Sequence, residues 1–197
     1  MTSYSSLIDR IKDWSNHYQR TSLGTPLAGV LIPLFQHQGE PHLILTLRSK
    51  KLNHHAGQIS FPGGKIDASD SSIEDTVLRE TEEEIGIGRS NITIINKFHD
   101  FSTPWFKCVT PIFGTLNKNR DYTISQDEID EIIEVPLKDL LLPFVYHTEI
   151  WVQDSFQVRV HFYYWRDPKT DRNHNIWGAT ASVIHQFLSE IVKRINF

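Results

Sequence analysis

Three glutamates, Glu80, Glu83 and Glu84, stand at i, i+3 and i+4 in the run Arg79-Glu80-Thr81-Glu82-Glu83-Glu84-Ile85-Gly86-Ile87. On a helix they fall within about a third of a turn of one another, while Glu82 points elsewhere. Like charges at these spacings cost a helix about 0.2–0.5 kcal/mol per pair, so the arrangement repels itself unless cations lie beside it. A solvated acidic face is the ordinary reading of such a helix. Two neighbours favour a cation site instead: Arg79, and the preceding turn Gly63-Gly64, where backbone can approach a ligand closely. Carboxylates at this spacing suit Mg²⁺ or Mn²⁺, hard ions that take oxygen from one or two carboxylates each together with substrate phosphates.

The elements that must position these groups follow from pattern. Gln58-Ile59-Ser60-Phe61 reads as a strand feeding the glycine turn. A Ser/Asp-rich loop then leads into the helix, with Ser71 and Glu74 as a capping box at its start and Gly86 as its left-handed stop. Val77, Leu78, Thr81 and Ile85 form its core-facing side. Upstream, 28–35 and 41–47 read as strands joined by hairpin chemistry at Gln38-Gly39-Glu40. Arg48, Lys50 and Lys51 follow the second strand, either as a solvated loop end or as a cationic clamp on phosphate, for which the arginine fork is best suited. His54 and His55 are adjacent, point to opposite sides of an extended chain, and do not make a zinc pair.

Downstream, 91–98 and 106–114 read as strands flanking a loop whose Trp105 either stacks on an adenine or packs. In 125–137 the apolar Ile129, Ile132 or Ile133, and Val135 interleave with acids, and Pro136 is expected at the first position of a short helix. Residues 151–165 read as one or two strands, and a closing helix buries Val183, Ile184, Phe187, Leu188, Ile191 and Val192. At the other end Tyr4, Leu7, Ile8, Ile11, Trp14 and Tyr18 repeat at helical spacing over about 3–19. That face packs on its own domain or on a second subunit, which would make a homodimer. Strands, an acidic helix, more strands and a closing helix suggest a mixed sheet with helices on both faces.

Arg79-Glu80-x-x-Glu83-Glu84-x-Gly86-Ile87 resembles the second half of the Nudix box, Gx5Ex7REUxEExGU. The first half departs from it. Counting back from Arg79, the box glycine falls on Lys65 and its glutamate on Ser71, because the stretch through Lys65-x-Asp67-x-x-Asp70 is one residue longer. That longer spacing is similar to one branch of the family, the coenzyme A pyrophosphatases. So is the segment before it: Leu45-Thr46-Leu47-Arg48-Ser49, Leu52, His55-Ala56-Gly57-Gln58 and Phe61-Pro62-Gly63-Gly64. The branch signature has arginine where this chain has Asn53. The phrase Ile176-Trp177-Gly178-x-Thr180-Ala181 also resembles the branch, so the likeness runs from about Pro26 to about Leu188.

The resemblance implies an α/β protein with the Nudix α/β/α sandwich around a mixed β-sheet, a single domain over 1–197, and metal-dependent hydrolysis of the pyrophosphate bond of coenzyme A or its acyl forms. Carried onto this chain, it makes Glu80, Glu83 and Glu84 the holders of Mg²⁺ or Mn²⁺. It makes Glu83, Glu80, Arg79 and Glu128 the catalytic set, with Arg79 orienting a glutamate, Glu128 supplying a further carboxylate from a loop, and Glu131 as its fallback. Arg48, Lys50, Gly63, Gly64 and Lys65 form the substrate side, and the glycine turn often lends a carbonyl to the metal. Which carboxylate takes the proton of the attacking water stays open among Glu83, Glu80 and Glu128. Two other readings compete: a Nudix hydrolase of another nucleoside diphosphate derivative, such as ADP-ribose or a dinucleotide, and a non-catalytic nucleotide-sensing module. Retention of all three glutamates counts against the last.

The bulk numbers narrow the classes. A chain of 197 residues that is 39% hydrophobic and 22% charged has the composition of one globular domain with a sizeable core. A net charge of -4, without a basic run of five or more, argues against a nucleic-acid groove or an anionic membrane surface. A polyanionic nucleotide reaches so acidic a chain only where local cations reverse the sign. The single cysteine, Cys108, cannot form an internal disulfide, which fits a reducing compartment. Its strand-like setting makes it a packing residue rather than a nucleophile. No apolar run follows Met1-Thr2-Ser3-Tyr4, so no signal peptide is expected, and the apolar stretch 140–145 is far short of the roughly 20 residues a spanning helix needs. A cytoplasmic enzyme with a small-molecule nucleotide substrate is the expectation.

Overall fold

A computed structural model describes residues 3–17, 24–102, 108–117, 122–153 and 156–192. Strands β1 (Ala28–His37) and β2 (Glu40–Arg48) form a hairpin. Its turn residues Gln38 and Gly39 have φ of 50° and 87°, the left-handed pair that matches strand twist. Strands β3 (Ile59–Ser60) and β7 (Ile129–Pro136) flank β2, while β4 (Gly63–Lys65) and β6 (Val109–Leu116) flank β1. Strand β5 (Ile92–Lys97) extends β6. The pairing of β1 with β6 is parallel and the rest are antiparallel, so the sheet is mixed.

Both faces are covered, which is why these strands read as apolar runs rather than clean alternations. Leu31, Phe35 and Ile44 pack under α2 (Ile73–Ile85) with Ile73, Val77 and Ile85. Ile32, Leu34, Leu43 and Leu45 face the other way, toward α1 (Tyr4–His17) and α4 (Gly178–Phe187), which continues as a π turn over Leu188–Val192. This is the α/β/α arrangement expected from the sequence. Leu7 and Ile11 of α1 are fully buried in that core, each stabilising it by about 1.5–3 kcal/mol, and Tyr4 donates its hydroxyl to the Leu34 carbonyl at 3.1 Å. The amphipathic face of α1 therefore packs on its own domain, not on a second subunit. Tyr18 and Trp105 lie outside the described residues.

The short helix α3 (Leu137–Leu140) follows β7, and Pro136 is its N-cap rather than its first helical residue. A second, antiparallel sheet comes next, ordered β10-β9-β8, from β8 (Tyr146–Gln153), β9 (Phe156–Arg166) and β10 (Asn173–Trp177). Its inner face adds Tyr163, Trp165 and Ile176 to the core below α4. Strand β10 escapes a hydrophobic reading because its buried positions are held by His174 and Ile176 between exposed asparagines. Among the described residues no helix is long and apolar enough to cross a membrane.

Candidate active site

The site is built on α2. Its N-cap is Ser72, whose hydroxyl accepts from the Asp75 N–H at 3.1 Å, not Ser71 as the capping-box pattern suggests. The start shifts by one because Ile73 must already be helical to reach the core; Ser71 instead donates its hydroxyl to the Asp75 carboxylate. Gly86 ends the helix in the left-handed conformation, with φ 74°.

Arg79 organises the outer edge. Its Nε and Nη2 donate to the two oxygens of Asp70, each at 3.0 Å, a bidentate pair. Its Nη1 donates to Glu80 and Glu83, both at 3.0 Å, and Nη2 also to the Lys65 carbonyl at 3.1 Å. On a bare helical wheel Arg79 points away from the glutamates; its long side chain returns to them. The Arg79 fork holds the Asp70 carboxyl far below the usual carboxylate range. Asp70, nine positions before Arg79, was not singled out as a site residue, although the longer Lys65-to-Asp70 stretch is where it sits.

The glycine turn brings backbone under the helix. Gly63 has φ 147°, and a Cβ there would stand 2.3 Å from the Gly29 carbonyl oxygen. At Gly64 a Cβ would lie 2.4 Å from the Glu80 carboxyl carbon and 2.5 Å from both of its oxygens. The lack of a side chain at Gly64 is what lets Glu80 lie against β4.

Glu84 occupies the deepest position, 1% exposed. The Gly63 N–H donates to it at 3.3 Å and the Arg48 guanidinium stands 3.5 Å away. Burial pushes its pKa up to about 8; Arg48 and the Gly63 N–H oppose the rise, and the charges of Glu80 and Glu128 add to it. Glu80 is raised as well, first by burial and then by Glu83 and Glu128, against the pull of Arg79. The Nε of Arg48 is buried with no hydrogen-bond partner among the described residues.

The predicted residues are thus only partly gathered. Glu80, Glu84, Arg48, Gly63 and Gly64 converge, and Glu128 is near enough for its charge to act on both glutamates. The loop of Glu128 is stitched in through its carbonyl, which accepts from Ser49 N–H at 2.8 Å. Glu83 diverges from Glu84: its side chain is 55% exposed and held by Arg79. Lys50 and Lys65 are exposed; Lys50 N–H donates to Asp130 at 3.3 Å, and Lys65 takes part through its carbonyl. Glu131 is excluded. Glu131 alternates along β7 with Ile133 and Val135 and so shares their face, away from α2, where Arg172 donates to it at 3.0 Å. Cys108 is buried, its thiol donating to the Gly24 carbonyl.

Among the described residues no group of three or more His, Cys, Asp or Glu side chains is close enough to hold a metal ion as it stands. The donor chemistry nonetheless fits a hard divalent cation. The converging ligands are carboxylate oxygens, the donors a hard ion takes, and burial first, with the neighbouring carboxylates adding to it, pushes Glu80 and Glu84 toward protonation.

The fold is a mixed-sheet α/β/α sandwich with carboxylates and arginines clustered beside a glycine turn. Residues 25–154 match the NUDIX domain. The chain is 34% identical over 189 residues to an uncharacterized Nudix hydrolase, NudL, of Photorhabdus laumondii, covering 92% of this chain and 97% of that one. It is 32% identical over 183 residues to the same-named protein of Yersinia pestis, covering 93% and 87%. Among solved structures it is similar to a MutT/nudix family protein of Enterococcus faecalis, with a TM-score of 0.53, 17% identity, and coverage of 98% of this chain and 76% of that one. The chain belongs to the Nudix family.

Proposed function

We propose that the chain is a divalent-cation-dependent coenzyme A diphosphatase. It would hydrolyse the pyrophosphate bond of coenzyme A or an acyl-coenzyme A to 4′-phosphopantetheine, or its acyl form, and adenosine 3′,5′-bisphosphate. One observation carries the reading. The segment that resembles the coenzyme A branch, 45–64, and the helix that resembles the Nudix box meet at a single carboxylate, Glu84, through Arg48 at 3.5 Å and the Gly63 N–H at 3.3 Å.

In this reading Glu80, Glu83 and Glu84 hold Mg²⁺ or Mn²⁺, which when bound would neutralise the phosphates and lower the pKa of a water molecule. Arg48, whose guanidinium is partly exposed, binds a phosphate oxygen. Arg79 fixes the orientation of Glu80 and Glu83. Glu80 accepts the proton of the attacking water, a transfer worth about 10²–10⁴-fold; Glu128 supports it electrostatically from the facing loop. The reaction belongs to the cytoplasm on this reading.

Gly64→Ala separates chemistry from folding. The atoms it would collide with are the end of the Glu80 side chain, which can swing aside at little cost in stability but out of register with the substrate. Turnover should fall about 10²-fold, the usual effect of a misplacement near 1 Å, with the melting temperature nearly unchanged. Normal turnover would remove Glu80 from the mechanism.

The substrate assignment is tested with coenzyme A, an acyl-coenzyme A, ADP-ribose, NADH and dinucleoside polyphosphates, each with Mg²⁺ and with Mn²⁺. Coenzyme A or its acyl form should give the highest kcat/KM. ADP-ribose turned over far faster would favour the second reading, which the exposed Asn53 in place of the branch arginine supports. No turnover of any member would favour a sensing module.

A further inference from the structure

Apart from Leu27 and Ile66, every large apolar side chain that is exposed among the described residues lies between 142 and 164. That stretch is the approach to β8 and the β8–β9 pair. Exposed apolar groups scattered singly need no explanation, but their concentration on one element does. On β8 they occupy both faces. Trp151, opposite Val158 of β9, points to one side; Ile150 and Val152, 53% and 71% exposed, point to the other. A small-molecule groove would collect such groups on one concave face. A strand at the margin of a sheet offers unpaired backbone groups to a second strand, and apolar groups on both of its faces then gain cross-strand neighbours.

Strand β8 is that margin: the sheet runs β10-β9-β8, and among the described residues no strand pairs with β8 on its other side. Natural edge strands are commonly protected by lysine, proline or a bulge. Tyr146–Gln153 contains neither lysine nor proline and pairs with β9 without a register shift. We propose that β8 joins β8 of a second copy of this chain, antiparallel about a two-fold axis at Ile150, giving a homodimer with one sheet continuous across it.

Charge permits a second copy as the occupant and rules out one register. The only carboxylate on β8 is Glu149. Pairing centred on Glu149 would set it against its own copy, which is destabilising. Pairing centred on Ile150 sets Glu149 opposite the partner's Trp151, a side chain whose indole N–H already donates to Glu149 within the chain at 2.7 Å. It also sets Thr148 opposite the partner's Val152, with no like charges facing. In the register centred on Ile150 the strand therefore meets its own copy with no like charges opposed. A lipid surface is the weaker occupant, because an interfacial membrane segment carries basic residues around its apolar face; the pair's exposed charges are Glu149, Arg159 and Arg166, and Arg166 is already paired with Asp171 at 2.6 Å.

Sedimentation velocity on the full chain at micromolar concentration is expected to show a dimer. Val152→Lys and Ile150→Lys should each give a monomer with unchanged circular dichroism, since both positions are exposed. Oxidised Ile150→Cys should run as a covalent dimer on a non-reducing gel, because residues facing across an antiparallel pair lie within disulfide reach, about 4.5–5.5 Å between Cα atoms. Val158→Cys, one strand inward, should not. A wild-type monomer at every concentration overturns the proposal, whether or not it partitions onto phosphatidylcholine vesicles. So does a dimer that survives Val152→Lys, or one that is not cross-linked at position 150. None of these outcomes depends on the substrate assignment.

Discussion

Glu84→Gln is expected to lower kcat about 10³-fold and, in the presence of a chelator, to melt above wild type at alkaline pH. The second effect follows from the direction of the pKa shift. The fold raises Glu84 from 4.5 to about 8, mainly through burial, so the folded state prefers the protonated acid. Below about pH 4.5 the group is protonated in both states and its contribution to stability is fully present. As pH rises from there to about 8 the unfolded chain ionises first and that contribution is lost. Glutamine cannot ionise, so the variant should hold its melting temperature across the window in which wild type falls. Other titrating groups are common to both proteins and cancel in the difference. Added Mn²⁺ should restore wild type at alkaline pH and do little for the variant. Parallel melting curves throughout the window would show that no ionisable group is buried at this position.

Arg79→Lys keeps the charge, yet it should cost about 3 kcal/mol of stability, the order expected when a buried carboxylate loses its partner. For a chain of this size that is about 6–12 °C in melting temperature. Arg79 meets three carboxylates and one carbonyl at 3.0–3.1 Å from a single planar fork. A lysine ammonium has three donors on one atom and cannot reproduce the bidentate pair with Asp70, whose side chain is only 4% exposed. Turnover should fall with it, because Glu80 and Glu83 lose their common anchor. The Asp70 pKa is depressed, mainly by its hydrogen bonds to Arg79, so that contribution is present above the unfolded value of 3.8 and is lost as pH falls through the lower folded one. The gap between variant and wild type should therefore narrow in acid. A lysine variant that melts alongside wild type at neutral pH would demote Arg79 to a surface residue.

The helix and its glycine turn were readable because their signals are local: a repeat of apolar residues at helical period, a left-handed glycine stop, carboxylates at i, i+3 and i+4. The inequality among those carboxylates was not. A wheel fixes angles around the helix axis, but β4 decides which angle is covered, and it covers Glu84 and most of Glu80 while leaving Glu83 outside. The choice between Glu128 and Glu131 depended on which face of β7 turns toward α2, which the strand's own alternation does not record. Asp70 was hidden for a related reason, since its partner Arg79 lies on the far side of a loop. Strand β10 was missed because a buried histidine takes an apolar position. The open edge of β8 becomes visible only once its neighbours are known to stop at β9.

The central claim is that Glu80 and Glu84 form a divalent-cation site for a pyrophosphate substrate. Its most direct test is a crystal of the protein grown with Mn²⁺ and a non-hydrolysable coenzyme A analogue, with anomalous data collected at the manganese edge. The account predicts an anomalous peak within ligand distance, about 2.0–2.3 Å, of carboxylate oxygens from both Glu80 and Glu84, and in contact with the analogue's pyrophosphate. An analogue bound with no such peak, or with both carboxylates still engaged only by Arg48 and Arg79, would contradict it.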